Sequence, residues 1–365
     1  MLEEEYFWLV FSVKYGFTWS KWKKLQVFYS SLSQGYTDNF KLTPNLEIKL
    51  VSLAEFSKSK DEMLSILLKN KINWVSFLSP NYPSLFRNLN SPPVILYYKG
   101  NLELSENNTN LAVIGSRQIS NYSRQVMHKV LPSVLSSGVN LVSGLAFGAD
   151  AIGHQLSLEN LPSKTIAVLG GGLDDISIYP NQHLLLANKI VEQGGLLLSE
   201  YFPNKPAMAF QFPQRNRLIV ALSKAVWVVQ AGTKSGTLLT AKIARDTGKD
   251  LLVTPASILE DCYSGNHQIL QDGAWPLVNS IELFSCLGII QKQNHKKDFA
   301  EIASQHQLSL NQAKIMQIIQ NNNVSVDEIM AKLGFSLEVI TAEIGMLEIL
   351  GLVDNLGQNV WANLS

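Results

Sequence analysis

Two segments decide the fold of this chain: Leu111-Ala-Val-Ile-Gly-Ser-Arg117 and Leu141-Val-Ser-Gly-Leu-Ala-Phe-Gly-Ala-Asp150. Each begins with a short apolar run containing β-branched residues, which is typical of a buried parallel strand. Each run then ends at a glycine beside a hydroxyl residue, which predicts a tight turn from a strand into a helix. Backbone N–H groups and the helix dipole at such a turn favour an anion. Arg117 could hold a phosphate in bidentate fashion, although a plain strand-to-helix connection with an exposed arginine is the alternative.

Further apolar runs continue this pattern along the chain. Strands are predicted over Thr165–Leu169, Leu196–Leu198, Ala225–Val229 and Leu251–Val253, and helices over Arg124–Leu135 and about Thr237–Ala244. The alternation predicts an α/β fold, a doubly wound and mostly parallel sheet with helices on both faces. Ligands of such sheets bind beyond the carboxyl ends of the strands, where the glycines of this chain lie. Because no G-x-G-x-x-G follows the first strand, we expect no dinucleotide and no other cofactor.

Length and composition indicate a globular protein of several domains. The chain has 365 residues, which exceeds the usual size of a single core. Its two cysteines, Cys262 and Cys286, are too few and too far apart for a disulfide framework or a zinc site. The first residues are acidic where a signal peptide would be basic, and no apolar run reaches the roughly 20 residues of a membrane helix. These features predict a cytoplasmic protein with no membrane partner.

The charges are distributed unevenly although the net charge is zero. Between Lys205 and Lys249 there are eight basic residues and one acid, whereas from Asp298 to the end there are eight acids and two lysines. A basic central segment and an acidic tail predict an anionic ligand in the middle of the chain and a different kind of partner at its end.

Three more motifs in the central segment favour an anionic ligand. Phe212-Pro-Gln-Arg-Asn-Arg217 sets two guanidinium groups around an amide that could bind a base edge, and Ser235-Gly-Thr-Leu-Leu-Thr-Ala241 begins another helix with small residues. A glycine triplet, Gly170-Gly-Gly172, follows a predicted strand. Each motif alone has a structural alternative, such as a surface charge cluster, but together with Arg117 they favour a ligand with several phosphates.

The two ends of the chain are predicted to be helical. Residues 1 to about 75 contain several short helical patterns, and residues 15–24 interleave aromatics with lysines. That stretch could be a platform for single-stranded nucleic acid, but a small helical core with lysines at its surface is favoured. Near the other end, helices over Ala313–Ile319, Val326–Leu333 and Leu337–Leu350 with a wing over 356–361 predict a winged helix-turn-helix. Its third helix carries three glutamates and no cation, which indicates a protein-contact or autoregulatory module rather than a groove reader.

Taken in order, these motifs resemble the signature of the DNA-processing protein A family (DprA/Smf). The resemblance also includes Tyr179-Pro180 and Ser199-Glu200, and it is dense over about residues 80 to 280. It implies an extended Rossmann-like domain that binds single-stranded DNA and forms a homodimer. It further implies a protein that delivers incoming strands to the RecA recombinase during natural transformation.

The motifs and the resemblance together give a set of expected DNA- and phosphate-binding residues, with no catalytic residue and no metal. The set is Gly115, Ser116, Arg117, Ser143, Gly144, Gly170, Gly171, Gly172, Lys205, Phe212, Arg215, Asn216, Arg217, Ser235, Gly236 and Thr237. The expected domains are a small helical domain of the SAM or helix-hairpin-helix kind (1–75), the extended Rossmann-like domain (76–288), a linker (289–300) and the winged helix (301–365). The chain departs from the family pattern at Ser123, His183 and Gln230 and in an insertion over Asp175–Ile178.

An enzyme is the alternative from another functional class. Gly232-Thr-Lys-Ser-Gly-Thr237 resembles the turn of the lysine-decarboxylase-like nucleotide phosphoribohydrolases, but the position of their catalytic glutamate is Thr240 here. Asp150 and His154, four residues apart, could form an acid–base or metal pair. A structural role is favoured, in which Asp150 caps its helix and His154 packs in the core.

Overall fold

The computed structural model describes residues 3–38, 51–289, 308–319, 324–357 and 360–363. The chain divides into two compact units, one up to Ile289 and one from Ile290 onward. None of the helices in the described part of the chain is both long and apolar enough to cross a membrane.

The first unit begins with four helices: α1 (Glu4–Lys14), α2 (Trp19–Leu25), α3 (Leu32–Thr37) and α4 (Leu53–Lys69). Helix α4 starts with a capping box, in which Ser52 and Glu55 each bond the backbone N–H of the other. Phe7, Trp8 and Phe17 are buried in an aromatic core, so the aromatics interleaved with lysines belong to a small helical core, as predicted.

Nine strands in the described residues form one sheet: β1 (Asn73–Ser76), β2 (Ile95–Gly100), β3 (Leu111–Ile114), β4 (Leu141–Ser143), β5 (Thr165–Leu169), β6 (Leu196–Ser199), β7 (Ala225–Val228), β8 (Asp250–Val253) and β9 (Trp275–Pro276). Their order is β1-β2-β6-β5-β4-β3-β7-β8-β9. The pairs from β6 to β9 are parallel, as predicted, whereas β1 and β2 add an antiparallel extension beside β6. Strand β1 begins inside the range, residues 1 to about 75, for which only helices were predicted.

Helices cover both faces of the sheet, as predicted: α5 (Ser84–Arg87), α6 (Asn121–Ser136), α7 (Ala149–Glu159), α8 (Leu184–Glu192), α9 (Gln211–Leu222), α10 (Gly236–Asp246), α11 (Ser264–Gln271) and α12 (Ser280–Leu287). Helices α6, α7 and α12 pack on one face, where Trp227, Met127 and Phe284 share a core. Helices α9 and α10 pack on the other face around Val226 and Val228. Successive strand residues therefore enter different cores, which explains the continuous apolar runs in the sequence.

The sheet has one topological switch point, between β3 and β7. From β3 the chain proceeds through β4, β5 and β6 toward one edge, then returns to β7 and continues through β8 to β9 at the other edge. The connections after β3 and β7 therefore leave in opposite directions and open a crevice at the carboxyl ends of these two strands.

The second unit is a winged helix. It contains α13 (Leu310–Ile319), α14 (Val326–Leu333), α15 (Leu337–Ile349) and a sheet of order β10-β12-β11, where β10 is Val324–Ser325, β11 is Val353–Gly357 and β12 is Val360–Asn363. Ile315, Ile329 and Ile344 meet in its core. The three helices agree with the prediction, and the wing is longer than predicted because β11 begins at Val353.

Candidate functional site

A cleft of about 970 Å³, here called the first cleft, opens at the switch point. It lies between the loop after β3, helix α9 and the start of α10. Nine of the expected binding residues line it: Gly115, Ser116, Arg117, Phe212, Arg215, Asn216, Ser235, Gly236 and Thr237. The tertiary structure thus joins three motifs, at 115–117, 212–216 and 235–237, that are separate in the sequence.

An exposed cation and two aromatic rings form one wall of the first cleft. The Arg117 guanidinium carbon lies 5.4 Å from the centre of the Phe212 ring. The Phe212 ring lies 5.6 Å from that of Tyr179, which is 49% exposed. A charged group beside accessible ring faces can hold a phosphate and stack a base at the same place.

Arg215 differs from Arg117 because it is only 5% exposed. Its Nη1 donates to Gly144 O at 2.8 Å and also to Val168 O, so it braces the carboxyl ends of β4 and β5. Burial lowers the pKa of Arg215 to about 10, and the Asp150 carboxylate opposes that shift. The guanidinium is therefore largely committed to holding the wall of the cleft.

The Asn216 amide is also engaged within the protein. Its Oδ1 accepts from Arg215 Nε at 3.1 Å, and its Nδ2 donates to Thr240 Oγ1 at 2.7 Å. One acceptor site and one N–H of this amide are therefore already engaged, while a second N–H and a second lone pair remain, so base-edge binding by Asn216 stays a prediction. Thr240, at the position of the enzyme family's glutamate, helps to fasten α9 to α10.

Ser143 and Gly144 lie outside the first cleft and support its wall. Ser143 is fully buried, and its Oγ donates to Val113 O at 2.6 Å, which ties β4 to β3. A Cβ at Gly144 would lie 2.5 Å from the Arg215 guanidinium, so only glycine leaves room for that side chain. The hydroxyl and the glycine at these two positions therefore serve packing of the fold.

The glycine triplet likewise provides packing space rather than a lining of the first cleft. All three glycines are buried. A Cβ at Gly170 would lie 3.0 Å from Phe212 Cδ1, and one at Gly171 would lie 3.0 Å from Ala207 Cβ. The triplet thus lets α9 and the segment before it approach the end of β5.

The loop after β3 is held by hydrogen bonds that the sequence did not reveal. The Ser116 N–H donates to Gln230 O at 2.8 Å, so the prediction of bare backbone donors at this turn is wrong at Ser116. Helix α6 begins only at Asn121, with Ser120 as its cap. The Gln230 side chain accepts from Ser120 N at 2.8 Å and donates to Gln118 O at 3.2 Å. A neutral amide therefore fastens this loop at a position where the chain departs from the family pattern.

The other two departures also have local partners. Ser123 Oγ lies 2.7 Å from the Tyr263 hydroxyl, which also bonds Ser120. His183 Nδ1 donates to Leu145 O at 2.8 Å. Ser123 therefore links α6 to the segment before α11, and His183 links the segment before α8 to the loop after β4.

The start of α10 provides the second group of donors in the first cleft. Ser235 caps the helix by accepting from Thr237 N at 3.2 Å, while no described residue accepts from Gly236 N–H. Lys234 is exposed and also lines the cleft. Lys234 and Tyr179 were missing from the expected set, although a lysine between two glycines and an exposed Tyr-Pro pair were visible signals in the sequence.

Lys205 and Arg217 line a different cavity of about 470 Å³, here called the second cleft, between the N-terminal helices and α9. Arg217 Nη2 contacts Glu200 Oε1 at 2.5 Å. Burial raises the pKa of Glu200, while Arg217 opposes the rise. Since residues two apart on a helix point about 200° apart, the predicted Arg-Asn-Arg cluster is divided between the two clefts.

Asp150 and His154 are buried among polar partners. Asp150 Oδ2 accepts from the backbone N–H of Gly144 at 3.1 Å and of Ala146 at 3.2 Å, so it closes the loop before its helix. The prediction that Asp150 caps the helix is wrong, because the cap position is Gly148. Burial raises its pKa, and Arg215 opposes the rise. His154 is fully buried between Leu145 N and Thr165 Oγ1, and burial lowers its pKa to about 3. These contacts support the structural interpretation of the pair.

Comparisons with known proteins agree with this architecture. The family model for DNA recombination-mediator protein A matches residues 73–288, and that for the DprA winged helix domain matches residues 300–359. Protein Smf from Synechocystis sp. is 28% identical over 383 residues, covering 92% of this chain and 95% of that protein.

Two solved structures are similar as well. DNA processing protein A from Streptococcus pneumoniae matches with a TM-score of 0.56 and 31% identity, over 69% of this chain and 90% of that one. A structure concerned with the single-stranded DNA binding mode of DNA processing protein A from Helicobacter pylori matches with a TM-score of 0.52 and 31% identity, over 59% of this chain and 95% of that one.

Proposed function

This chain belongs to the DNA recombination-mediator protein A family, and on that premise we propose that it binds single-stranded DNA in the first cleft. We further propose that it delivers the bound strand to the RecA recombinase during natural transformation. Such a role requires a cytoplasmic protein, which is the location that the sequence predicts.

The observation that carries the proposal is the pairing of Arg117 with Phe212 and Tyr179 at the switch point. Single-strand binding without strong sequence preference combines cations that follow the phosphates with aromatic faces that stack the bases. Arg117 and Lys234 supply exposed cations, and the start of α10 adds a backbone donor with a helix dipole behind it. Duplex DNA keeps its bases stacked internally, so it cannot use the rings.

We propose a binding protein rather than an enzyme. The two residues that could have formed an acid–base pair, Asp150 and His154, are buried and bonded to backbone and side-chain groups of the fold. Thr240, which stands where the phosphoribohydrolases have a glutamate, accepts a hydrogen bond from Asn216. The contacts of these residues support a structural role, in which they hold the segments around the cleft in place.

The direct test is fluorescence anisotropy with a labelled oligothymidylate, beside a duplex of equal length and across a salt series. We expect preferential binding of the single strand, with log affinity falling by roughly 0.7 per neutralised phosphate for each unit of log salt concentration. Equal affinity for single and double strands would exclude this function.

We also propose a homodimer formed through the Rossmann-like domain. The edge strand β9 and the start of α12 expose Trp275, Val278 and Ile281 by 66%, 72% and 59%. A cluster of large apolar side chains at a sheet edge favours association with another apolar surface. Light scattering after chromatography should give a dimer mass for the wild type and a monomer mass for Val278→Glu; a dimeric variant would exclude this surface.

Delivery to RecA has its own test, because strand binding alone does not require it. RecA assembly on single-stranded DNA coated with a single-strand-binding protein should be faster when this protein is present. We propose that the winged helix, 301–365, serves protein contact in this reaction. Unchanged RecA assembly despite normal strand binding would restrict the function to DNA binding.

A further inference from the structure

The loop between β4 and α7 carries an aromatic side chain at the edge of the first cleft. Phe147 is 37% exposed, and both of its neighbours in the chain belong to the cleft or contact it. Ala146 lines the cleft, and Gly148 lies against the backbone carbonyl groups of Ser116 and Arg117. Phe147 therefore stands beside the segment that carries the exposed guanidinium.

Two unusual backbone conformations fix the course of this loop. Leu145 has a φ of +60°, in the left-handed region that a leucine rarely adopts. Gly148 has a φ of +75°, and a Cβ at this position would lie 2.7 Å from Arg117 O, so only glycine fits. Strain at a residue other than glycine persists only where the surrounding structure imposes it, and it is concentrated at functional sites. The backbone is therefore constrained on both sides of Phe147.

Two histidines hold the strained turn. The Leu145 N–H donates to His154 Nε2 at 3.3 Å, and Leu145 O accepts from His183 Nδ1 at 2.8 Å. The His183 ring also meets the Phe147 ring in a T-shaped arrangement, with the ring centres 4.9 Å apart. A T-shaped contact joins a face of one ring to an edge of the other. The contact with His183 thus orients the Phe147 ring and uses no more than one of its faces.

The segment that carries His183 also carries a ring of the first cleft. Tyr179 precedes His183 by four residues, lines the cleft and lies 5.6 Å from the Phe212 ring. The Arg117 side chain lies over Phe212, while the Arg117 backbone contacts Gly148. Exposed aromatic rings therefore stand next to both the side chain and the backbone of the residue that would bind a phosphate.

We propose that Phe147 stacks a base of the bound strand, in addition to the base that meets Phe212 and Tyr179. This inference rests on the proposed function and adds a second stacking surface to it. A ring face beside an exposed cation suits a nucleotide, because it provides for the base and for its phosphate together. Every base has a face that can stack, so this contact increases affinity without selecting a sequence.

The test compares an oligothymidylate with an abasic strand, which has the same sugar-phosphate backbone and length but no bases. Fluorescence anisotropy measures the binding of both strands to the wild type and to Phe147→Ala. The variant should bind oligothymidylate about five- to tenfold more weakly, as expected for the loss of one stacked base at an exposed site. It should bind the abasic strand like the wild type, whereas Arg117→Ala should weaken the binding of both strands.

Two further variants separate stacking from packing of the loop. Phe147→Tyr keeps an aromatic ring and should bind oligothymidylate like the wild type. Phe147→Leu keeps an apolar side chain without a ring and should bind it as weakly as Phe147→Ala. The matched control is Phe28→Ala, which removes a phenylalanine that is 43% exposed between α2 and α3 and should leave the binding of both strands unchanged.

Photocrosslinking tests the contact in the wild-type protein, where no substitution can disturb the fold. Iodouracil replaces thymine in the strand, and irradiation of the complex joins this base to an aromatic side chain stacked on it. Mass spectrometry should identify a crosslink at Phe147. Crosslinks at Phe212 or Tyr179 without one at Phe147 would contradict the inference.

Three binding results would also overturn it: wild-type affinity of Phe147→Ala for oligothymidylate, an equal loss of affinity for the abasic strand, or wild-type affinity of Phe147→Leu for oligothymidylate. If the wild type binds oligothymidylate in these cases, only the role of Phe147 is wrong. If the wild type does not bind oligothymidylate, the proposed function is wrong, and the role of Phe147 with it.

Discussion

The first cleft and helix α15 of the winged helix differ in the charges they offer to DNA. The first cleft presents exposed Arg117 and Lys234 beside aromatic rings. Helix α15, the third helix of a fold that often reads DNA grooves, carries Glu338, Glu343 and Glu348 and has no lysine or arginine. Because a polyanion is bound mainly through cations at its phosphates, we expect DNA to bind at the first cleft rather than at the unit with the conventional DNA-reading fold.

For DNA binding, the environment of a cation matters more than its place in a motif. Arg117 is exposed with an aromatic ring as its neighbour, whereas Arg215 is buried against two carbonyl groups in the same cleft. Arg217 faces a carboxylate in the other cleft. Of these three arginines, Arg117 has the environment of a phosphate ligand.

The largest effect is expected for Arg215→Ala, which separates the residues that support the wall of the first cleft from those that would bind the ligand. Removing the guanidinium leaves the buried Asp150 carboxylate without its cation and two carbonyls without a donor. The free energy of unfolding should fall by about 3–5 kcal/mol, measured by urea denaturation. The exposed Arg124→Ala is the control and should change it by less than about 0.5 kcal/mol. A normally stable Arg215→Ala protein that no longer binds DNA would contradict this assignment.

Arg117→Ala should weaken oligothymidylate binding by about 1.5–3 kcal/mol, or roughly 10- to 150-fold, because a charged phosphate contact is lost. The melting temperature should stay nearly constant since the side chain is exposed. Anisotropy beside Arg124→Ala measures the effect. Unaltered affinity would show that Arg117 does not bind a phosphate, because the first cleft would then have lost its main cation without consequence.

The pH dependence of the free energy of unfolding tests whether His154 is buried in its neutral form. The pKa of His154 is about 3 in the folded chain and about 6.5 when unfolded. Between these values the unfolded state binds the additional proton, so this contribution is complete above about pH 6.5 and is lost as the pH falls.

Between pH 7 and pH 5, the free energy of unfolding of the wild type should therefore fall by about 2 kcal/mol more than that of His154→Gln. Urea denaturation at each pH measures the difference. The control, His128→Gln, removes an exposed histidine and should run parallel to wild type. Parallel curves for His154→Gln would show that His154 titrates alike in both states.

The smallest effect is expected for removal of everything after Ile289, which deletes the acidic winged helix and leaves the first unit intact. Oligothymidylate affinity should change by less than about threefold, because α15 offers no cation to a phosphate. Anisotropy of the truncated and full-length proteins decides this. Loss of binding on truncation, together with normal binding by Arg117→Ala, would move the DNA site to the winged helix and reverse the comparison.

Much of the fold could be predicted because its signals are local. Strands β3 and β5 were predicted with their observed bounds, and the end of α14 at Gly334 follows from a backbone of positive φ that suits glycine. The mostly parallel sheet follows from the alternating strands and helices, and the glycines mark the strand ends. These features depend on the period of hydrophobic residues and on turn chemistry, which neighbouring residues determine.

The tertiary structure decided which polar groups are free. The sequence alone placed Arg117, Arg215 and Arg217 in one set of phosphate ligands, and it gave no sign that the Ser116 N–H and the Asn216 amide already have partners. Those partners, such as Gln230 O and Thr240 Oγ1, come from distant segments. A residue type states what a side chain can bind, but the free energy of binding depends on what the fold has already bound to it.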